Sequence, residues 1–242
     1  MIILDGNLEH DEGVKWAKNM DNARTVITSL IGDINYQGID SPAATFLAGT
    51  PGAGKTEFSK NIMSQFVIPP VRIDLDELRE RIPGYDGTNA NIYQDAATLL
   101  LQKTYDYVTH RRIPFILDGT FAYKNTQMNI KRVYRKGYLI QIYYIYQDPG
   151  LAWGFTQARR EKEGRIVPLN IFINSYYESI KNVKAVLDTY PEVELAIIIK
   201  NIDSTDQQVF TKVNKNDIDN IVKLDYTKED LRKLLITRKG DT

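Results

Sequence analysis

The chain contains no cysteine, so disulfides, thiolate metal sites and a thiol nucleophile are all excluded. That absence fits a reducing compartment. Histidine is nearly as scarce. With only His10 and His110 present, a multi-histidine metal cage is ruled out, and a general base has to be sought among the carboxylates. Neither sign of charge predominates: 31 Lys and Arg balance 31 Asp and Glu, a formal net charge of zero. Nucleic-acid binding through a global positive field is therefore disfavoured, although a local basic groove stays compatible. Long apolar runs are missing too. Residues 195–199 form the longest in the C-terminal half, far below the ~20 residues that span a bilayer. The opening MIILDGNLEHDEG lacks the basic start and apolar core of a secretory signal. The expectation is a soluble, cytoplasmic protein with no membrane segment, no internal repeat and no low-complexity tract.

The composition that remains is globular, at 43% hydrophobic and 26% charged residues. A length of 242 residues suits a single domain over residues 1–242. Within it the core spans about 44–200, preceded by an N-terminal helix and loop (1–43) and followed by a C-terminal extension (201–242). Trp16, Met20, Ala23, Ile27 and Leu30 recur at steps of four and three, which predicts one helix over residues 11–31. Five short apolar runs follow, at 43–48, 71–74, 114–117, 138–146 and 195–199. Helical patterns separate them, at 56–66, 91–111, 151–163 and the stripe Leu169, Phe172, Tyr176, Ile180, Val183, Leu187. Asp148-Pro149 reads as a helix start and Gly164 as its end, while Thr227-x-x-Asp230 opens a final helix. Buried strands alternating with helices predict an α/β, three-layer, P-loop kinase-like fold with a mostly parallel five-stranded sheet and helical extensions at both ends.

Gly49-Thr50-Pro51-Gly52-Ala53-Gly54-Lys55-Thr56 matches G-x-x-x-x-G-K-[ST] in full, directly after an apolar strand and before a helix. Glycines let backbone N–H groups turn inward around phosphates, where the helix N-terminus adds its positive end. Lys55 is placed to reach the β- and γ-phosphates of ATP, and the Thr56 hydroxyl to ligate Mg²⁺. There is no Asn-Lys-x-Asp guanine-reading motif, and the third strand ends in one acid, Asp118, rather than an Asp-Glu pair. Both features favour a kinase over a GTPase or a mechanical ATPase.

Asp74 and Asp76 close the second strand, where a parallel sheet opens its ligand crevice. Asp76 is the candidate that orients an acceptor hydroxyl and takes its proton; capping the following helix is its alternative role. Asp74 and Arg79 are candidate substrate contacts, Arg79 having a surface helix position as its alternative. Asp118 occupies the position of a Walker-B acid, as a candidate for Mg²⁺ or substrate, with Thr120 beside it. Three arginines, Arg159, Arg160 and Arg165, cluster around a helix end between the fourth and fifth strands. Lid arginines of this kind neutralise charge developing on a transferred phosphoryl group.

With GTPGAGKT (49–56), IDLDELR (73–79), ILDGT (116–120), ARRE (158–161) and GRIVP (164–168) in order, the sequence resembles the zeta toxin family of kinases. The resemblance covers about residues 44–200 and implies phosphorylation of the 3′-hydroxyl of the sugar in UDP-N-acetylglucosamine by ATP and Mg²⁺. It also implies a small helical antitoxin as partner. By position it assigns Lys55 and Thr56 to the phosphate loop and Asp76 to catalysis. Thr120 matches the family's Thr, and Arg165 with Arg159 or Arg160 matches its two phosphate-facing arginines. Two departures touch the acceptor side: Asp118 stands where the family usually has Glu, and Ala122 where a basic residue is common. Lys124 is the nearby cation able to compensate. Two alternatives remain, a polynucleotide 5′-hydroxyl or small-metabolite kinase suggested by Asp76-x-x-Arg79, and a nucleotide-binding module acting through a protein partner.

Overall fold

The computed structural model describes residues 2–163, 166–200 and 207–237. Two helices, α1 (Ile2–Lys18) and α2 (Met20–Ile31), precede β1 (Ala43–Ala48). The chain continues through α3 (Lys55–Met63), β2 (Val71–Asp74), α4 (Leu75–Arg79), α5 (Gln94–His110), β3 (Phe115–Asp118), α6 (Thr126–Arg135) and β4 (Leu139–Tyr146). It closes with α7 (Pro149–Glu163), α8 (Leu169–Thr189), β5 (Glu194–Lys200), β6 (Gln207–Phe210), α9 (Ile218–Ile221) and α10 (Lys228–Thr237).

The strands form one sheet in the order β2-β3-β1-β4-β5-β6, parallel except for β6. Alternation along β1 sends Phe46 to one face and Leu47 to the other. On Leu47's face, Ile116, Ile145 and Ile198 pack under Phe58 and Ile62 of α3. The opposite face carries the larger core, including Phe46, Phe115, Ile142 and Tyr144 with residues of α5, α6 and α8. The predicted layered, mostly parallel architecture is thus present, with six strands in place of five. The sixth is a short, exposed antiparallel edge whose polar sequence QQVF carries no buried-strand pattern.

Residues 11–31 do not form one helix. The break falls at Asn19, whose side chain accepts from the backbone N–H of Asp21 (2.8 Å) and Asn22 (3.2 Å) and so caps α2. Met20 is consequently 67% exposed although the spacing placed it on the inner stripe. Lys103 of α5 donates to the carbonyls of Ala17 (2.9 Å) and Lys18 (2.7 Å), satisfying the end of α1. The helix α6, which sequence periodicity left unassigned, buries Ile130 and Val133. Asp148 caps α7 through the Leu151 N–H (2.9 Å). Thr227 Oγ1 caps α10 by accepting from the Asp230 N–H (3.2 Å), and its hydroxyl donates to Asp230 Oδ2 (2.7 Å) in place of the backbone arm of the expected box. Gly164, expected to end α7, lies outside the described residues.

Candidate active site

The loop between β1 and α3 has no room for side chains at Gly49 and Gly52. A Cβ on Gly49 (φ +125°) would lie 2.1 Å from the Ile145 carbonyl oxygen, and one on Gly52 (φ +78°) 2.1 Å from that of Ala152. Backbone therefore packs directly on backbone, and the loop is held against β4 and α7. Lys55 is buried and donates to the carbonyls of Gly49 (3.0 Å) and Thr50 (2.5 Å), spanning the loop from inside. Those carbonyl dipoles hold the ammonium inside the loop.

A cleft of about 1230 Å³ opens beside this loop, at the C-terminal ends of the parallel strands. Single-ligand sites typically enclose ~300–1,000 Å³, so the cleft has room for a nucleotide and a second substrate. Pro51, Gly52, Ala53, Gly54, Lys55 and Thr56 form one wall. Asp74, Asp76, Asp118 and Thr120 line it too, as do Tyr105, Tyr123, Lys124 and Arg132. Burial pushes the Tyr123 phenol up to about 12, so it stays protonated at neutral pH. Lys124, the possible substitute for a basic residue at Ala122, does line the cleft.

The acidic end of β2 is organised by a residue the sequence reading passed over. Asp74 and Asp118 are register partners at the ends of adjacent parallel strands. Two carboxylates side by side and buried repel one another. Arg72, on the same side of β2 as Asp74, answers both. Its Nη2 donates to Asp74 Oδ2 (2.5 Å) and Asp118 Oδ2 (2.6 Å), its Nη1 pairs with Glu77, and its Nε donates to Ser59 Oγ (2.8 Å). Ser59 in turn donates to Asp118 Oδ2 (3.0 Å). Burial, followed by the Asp118 charge, pushes Asp74 up to about 6 against the opposing pull of Arg72. An arginine inside a four-residue strand that is otherwise closed to solvent was the available signal for this network.

Asp74 rather than Asp76 caps α4, its Oδ1 accepting from the N–H of Asp76 (2.7 Å). Asp76 is left in the first turn facing the cleft, so capping does not account for it. Arg79 is no surface residue: it is 4% exposed, donating to Asp76 Oδ1 (2.7 Å) and to Gln94 Oε1 of α5 (2.7 Å). It stands behind Asp76 and does not line the cleft.

On α7, Phe155 and Arg159 are one turn apart and both line the cleft, whereas Arg160 is exposed and turned away from it. Of the two arginines, Arg159 is the one at the cleft. Arg165 lies outside the described residues. Gly49 and Thr50 shape the loop and receive Lys55 without lining the cleft themselves. Among the described residues no helix is long and apolar enough to cross a membrane.

Comparison with known proteins agrees with this fold. The sequence model of the zeta toxin family matches residues 28–217. No curated protein matches the chain in sequence. In fold, the chain is similar to a structure from the PezAT chromosomal toxin-antitoxin system of Streptococcus pneumoniae. The TM-score is 0.64 at 18% identity, covering 92% of this chain and 96% of that one. It is similar as well to the AvrRxo1-ORF1:AvrRxo1-ORF2 complex with ATP, at TM-score 0.64 and 12% identity, covering 94% of this chain and 84% of that one.

Proposed function

Since the chain belongs to the zeta toxin family and is an ATP-dependent kinase, we propose that it transfers the γ-phosphate of ATP to a hydroxyl of a sugar nucleotide such as UDP-N-acetylglucosamine. The observation that carries this reading is that Lys55 and Asp76 line one cleft large enough for both substrates. Lys55 exchanges the Gly49 and Thr50 carbonyls for the β- and γ-phosphates. Asp76, steadied by Arg79, accepts the proton of the acceptor hydroxyl. The acceptor oxygen then bonds to the γ-phosphorus as the bond to the β-phosphate oxygen breaks, and ADP leaves. Positioning supplies most of the acceleration in a loose transition state, and Arg159 faces the charge that develops on the transferred group.

The residues present fit Mg²⁺. Thr56 and Asp118 offer hard oxygen ligands in the cleft. Among the described residues, the side-chain bonds that Asp118 accepts, from Arg72 and Ser59, fall on Oδ2. Among the described residues no cluster of three or more acidic or histidine side chains forms a complete cage. That suits an ion that keeps waters and takes phosphate oxygens as further ligands. Mg²⁺ would neutralise charge on the β- and γ-phosphates.

The burial of Arg79 behind Asp76 favours a small acceptor over a polynucleotide, because the cation that suggested 5′-hydroxyl chemistry does not reach the cleft. A small helical antitoxin is the proposed protein partner. Its support is the family together with the fold likeness to the PezAT toxin-antitoxin system. Mass spectrometry of acceptors incubated with ATP, Mg²⁺ and protein tests the activity, with Lys55→Ala as control. A Lys55-dependent gain of one phosphate on UDP-N-acetylglucosamine is expected. A gain confined to nucleosides or 5′-hydroxyl oligonucleotides would overturn the substrate assignment.

A further inference from the structure

A second lysine lies against the phosphate loop. Lys200 is the last residue of β5 and follows Ala196 and Ile198 on the face that packs under α3. Its side chain, 15% exposed, runs beside Gly54: a Cβ built there would meet Nζ at 2.4 Å, Cε at 3.1 Å and Cδ at 3.4 Å. Nζ is held by Glu57 Oε2 at 2.9 Å, in the first turn of α3. Gly54, Glu57 and Lys200 all line the cleft.

We propose that Lys200 is a nucleotide-binding residue, paired with Glu57 until ATP arrives and then transferred to the polyphosphate. This rests on the reading of residues 49–56 as the ATP loop. Three physical points lead to it. The ammonium is already stacked on the last glycine before Lys55, so it needs only a rotation of its flexible stem to meet a phosphate held by the loop. Its present partner is a carboxylate that is 69% exposed, so solvent screens that end of the pair and weakens it. A polyphosphate carries more charge than one carboxylate and binds at the same helix N-terminus, where it competes with Glu57 for the lysine. Glu57 is therefore a built-in competitor, and removing it and removing Lys200 have opposite consequences for affinity.

That opposition separates the proposal from a plain structural tie between β5 and α3. The test is calorimetric titration of the full chain with the β,γ-methylene analogue of ATP in Mg²⁺, using Lys200→Met, Glu57→Gln and the double variant. Lys200→Met keeps the aliphatic stem and is expected to weaken binding five- to twentyfold. Glu57→Gln is expected to tighten it two- to fivefold, and to lose that effect when Lys200 is already Met. Lys200→Met affinity within twofold of wild type, or weaker binding in Glu57→Gln, would overturn the proposal. Failure of the wild-type chain to bind the analogue would instead overturn the reading of the phosphate loop on which the proposal rests.

Discussion

Arg72 Nη2 lies 2.6 Å from Asp118 Oδ2, joining a buried cation of β2 to the acid that ends β3. The same guanidinium holds Asp74, the register partner of Asp118. Each charge in this group is tolerable only because of the others. Arg72→Met should accordingly leave two adjacent buried carboxylates without their cation and cost about 3 kcal/mol of stability. Urea unfolding monitored by fluorescence measures it, and a loss below about 1 kcal/mol would show that the carboxylates are hydrated or protonated instead.

The same cluster sets a pH dependence. Asp74 is raised to about 6 in the folded chain, principally by burial and then by Asp118, from an ordinary 3.8. Between those values the folded state binds more protons than the unfolded state, so this group's contribution to stability declines as pH rises and levels off above about 6. Asp74→Asn retains an oxygen for capping α4 and removes the titration. Its melting temperature should consequently vary less between pH 4 and 6 than that of the wild type.

Arg79 acts on Asp76 from behind, with Gln94 holding its other arm. Arg79→Lys keeps the charge but gives up the planar fork that binds both partners. We expect kcat to fall about tenfold with KM for ATP unchanged, since the nucleotide wall is untouched. Steady-state kinetics with both substrates varied would expose a different role if KM for ATP rose in step.

Neighbouring arginines on α7 should behave unlike each other. Arg159 lines the cleft and Arg160 does not. Arg159→Ala is expected to lower kcat about 100-fold by removing a donor to the developing charge. Arg160→Ala should stay within about twofold. Equal losses in the two variants would mean that α7 turns when substrates bind.

Gly52 tests the loop itself. A methyl group there would meet the Ala152 carbonyl oxygen at 2.1 Å, with φ at +78° already unfavourable for alanine. Gly52→Ala should cost about 2 kcal/mol and weaken ATP binding more than tenfold, because the loop has to move away from α7. Calorimetry and a melting curve on the same sample give both numbers.

By itself the sequence determined the elements whose signals are local. The apolar runs of β1 to β5, the G-x-x-x-x-G-K-T loop and the caps at Asp148 and Thr227 depend on neighbouring residues, and each stands where its pattern placed it. Signals that are weak or distant were lost. The polar edge strand β6 has no apolar period, α6 has a short stripe, and the Asn19 cap that splits the N-terminal helix competes with an unbroken spacing of apolar residues. Tertiary structure alone decided how the site is arranged. Whether Asp74 or Asp76 caps α4, which of Arg159 and Arg160 faces the cleft, and where Lys200 lies depend on helix rotation and on strands brought together from far apart in the chain. Arg72 shows the reason most plainly: it and Asp118 are 46 residues apart in sequence. Only the parallel pairing of β2 with β3 makes one the counter-charge of the other.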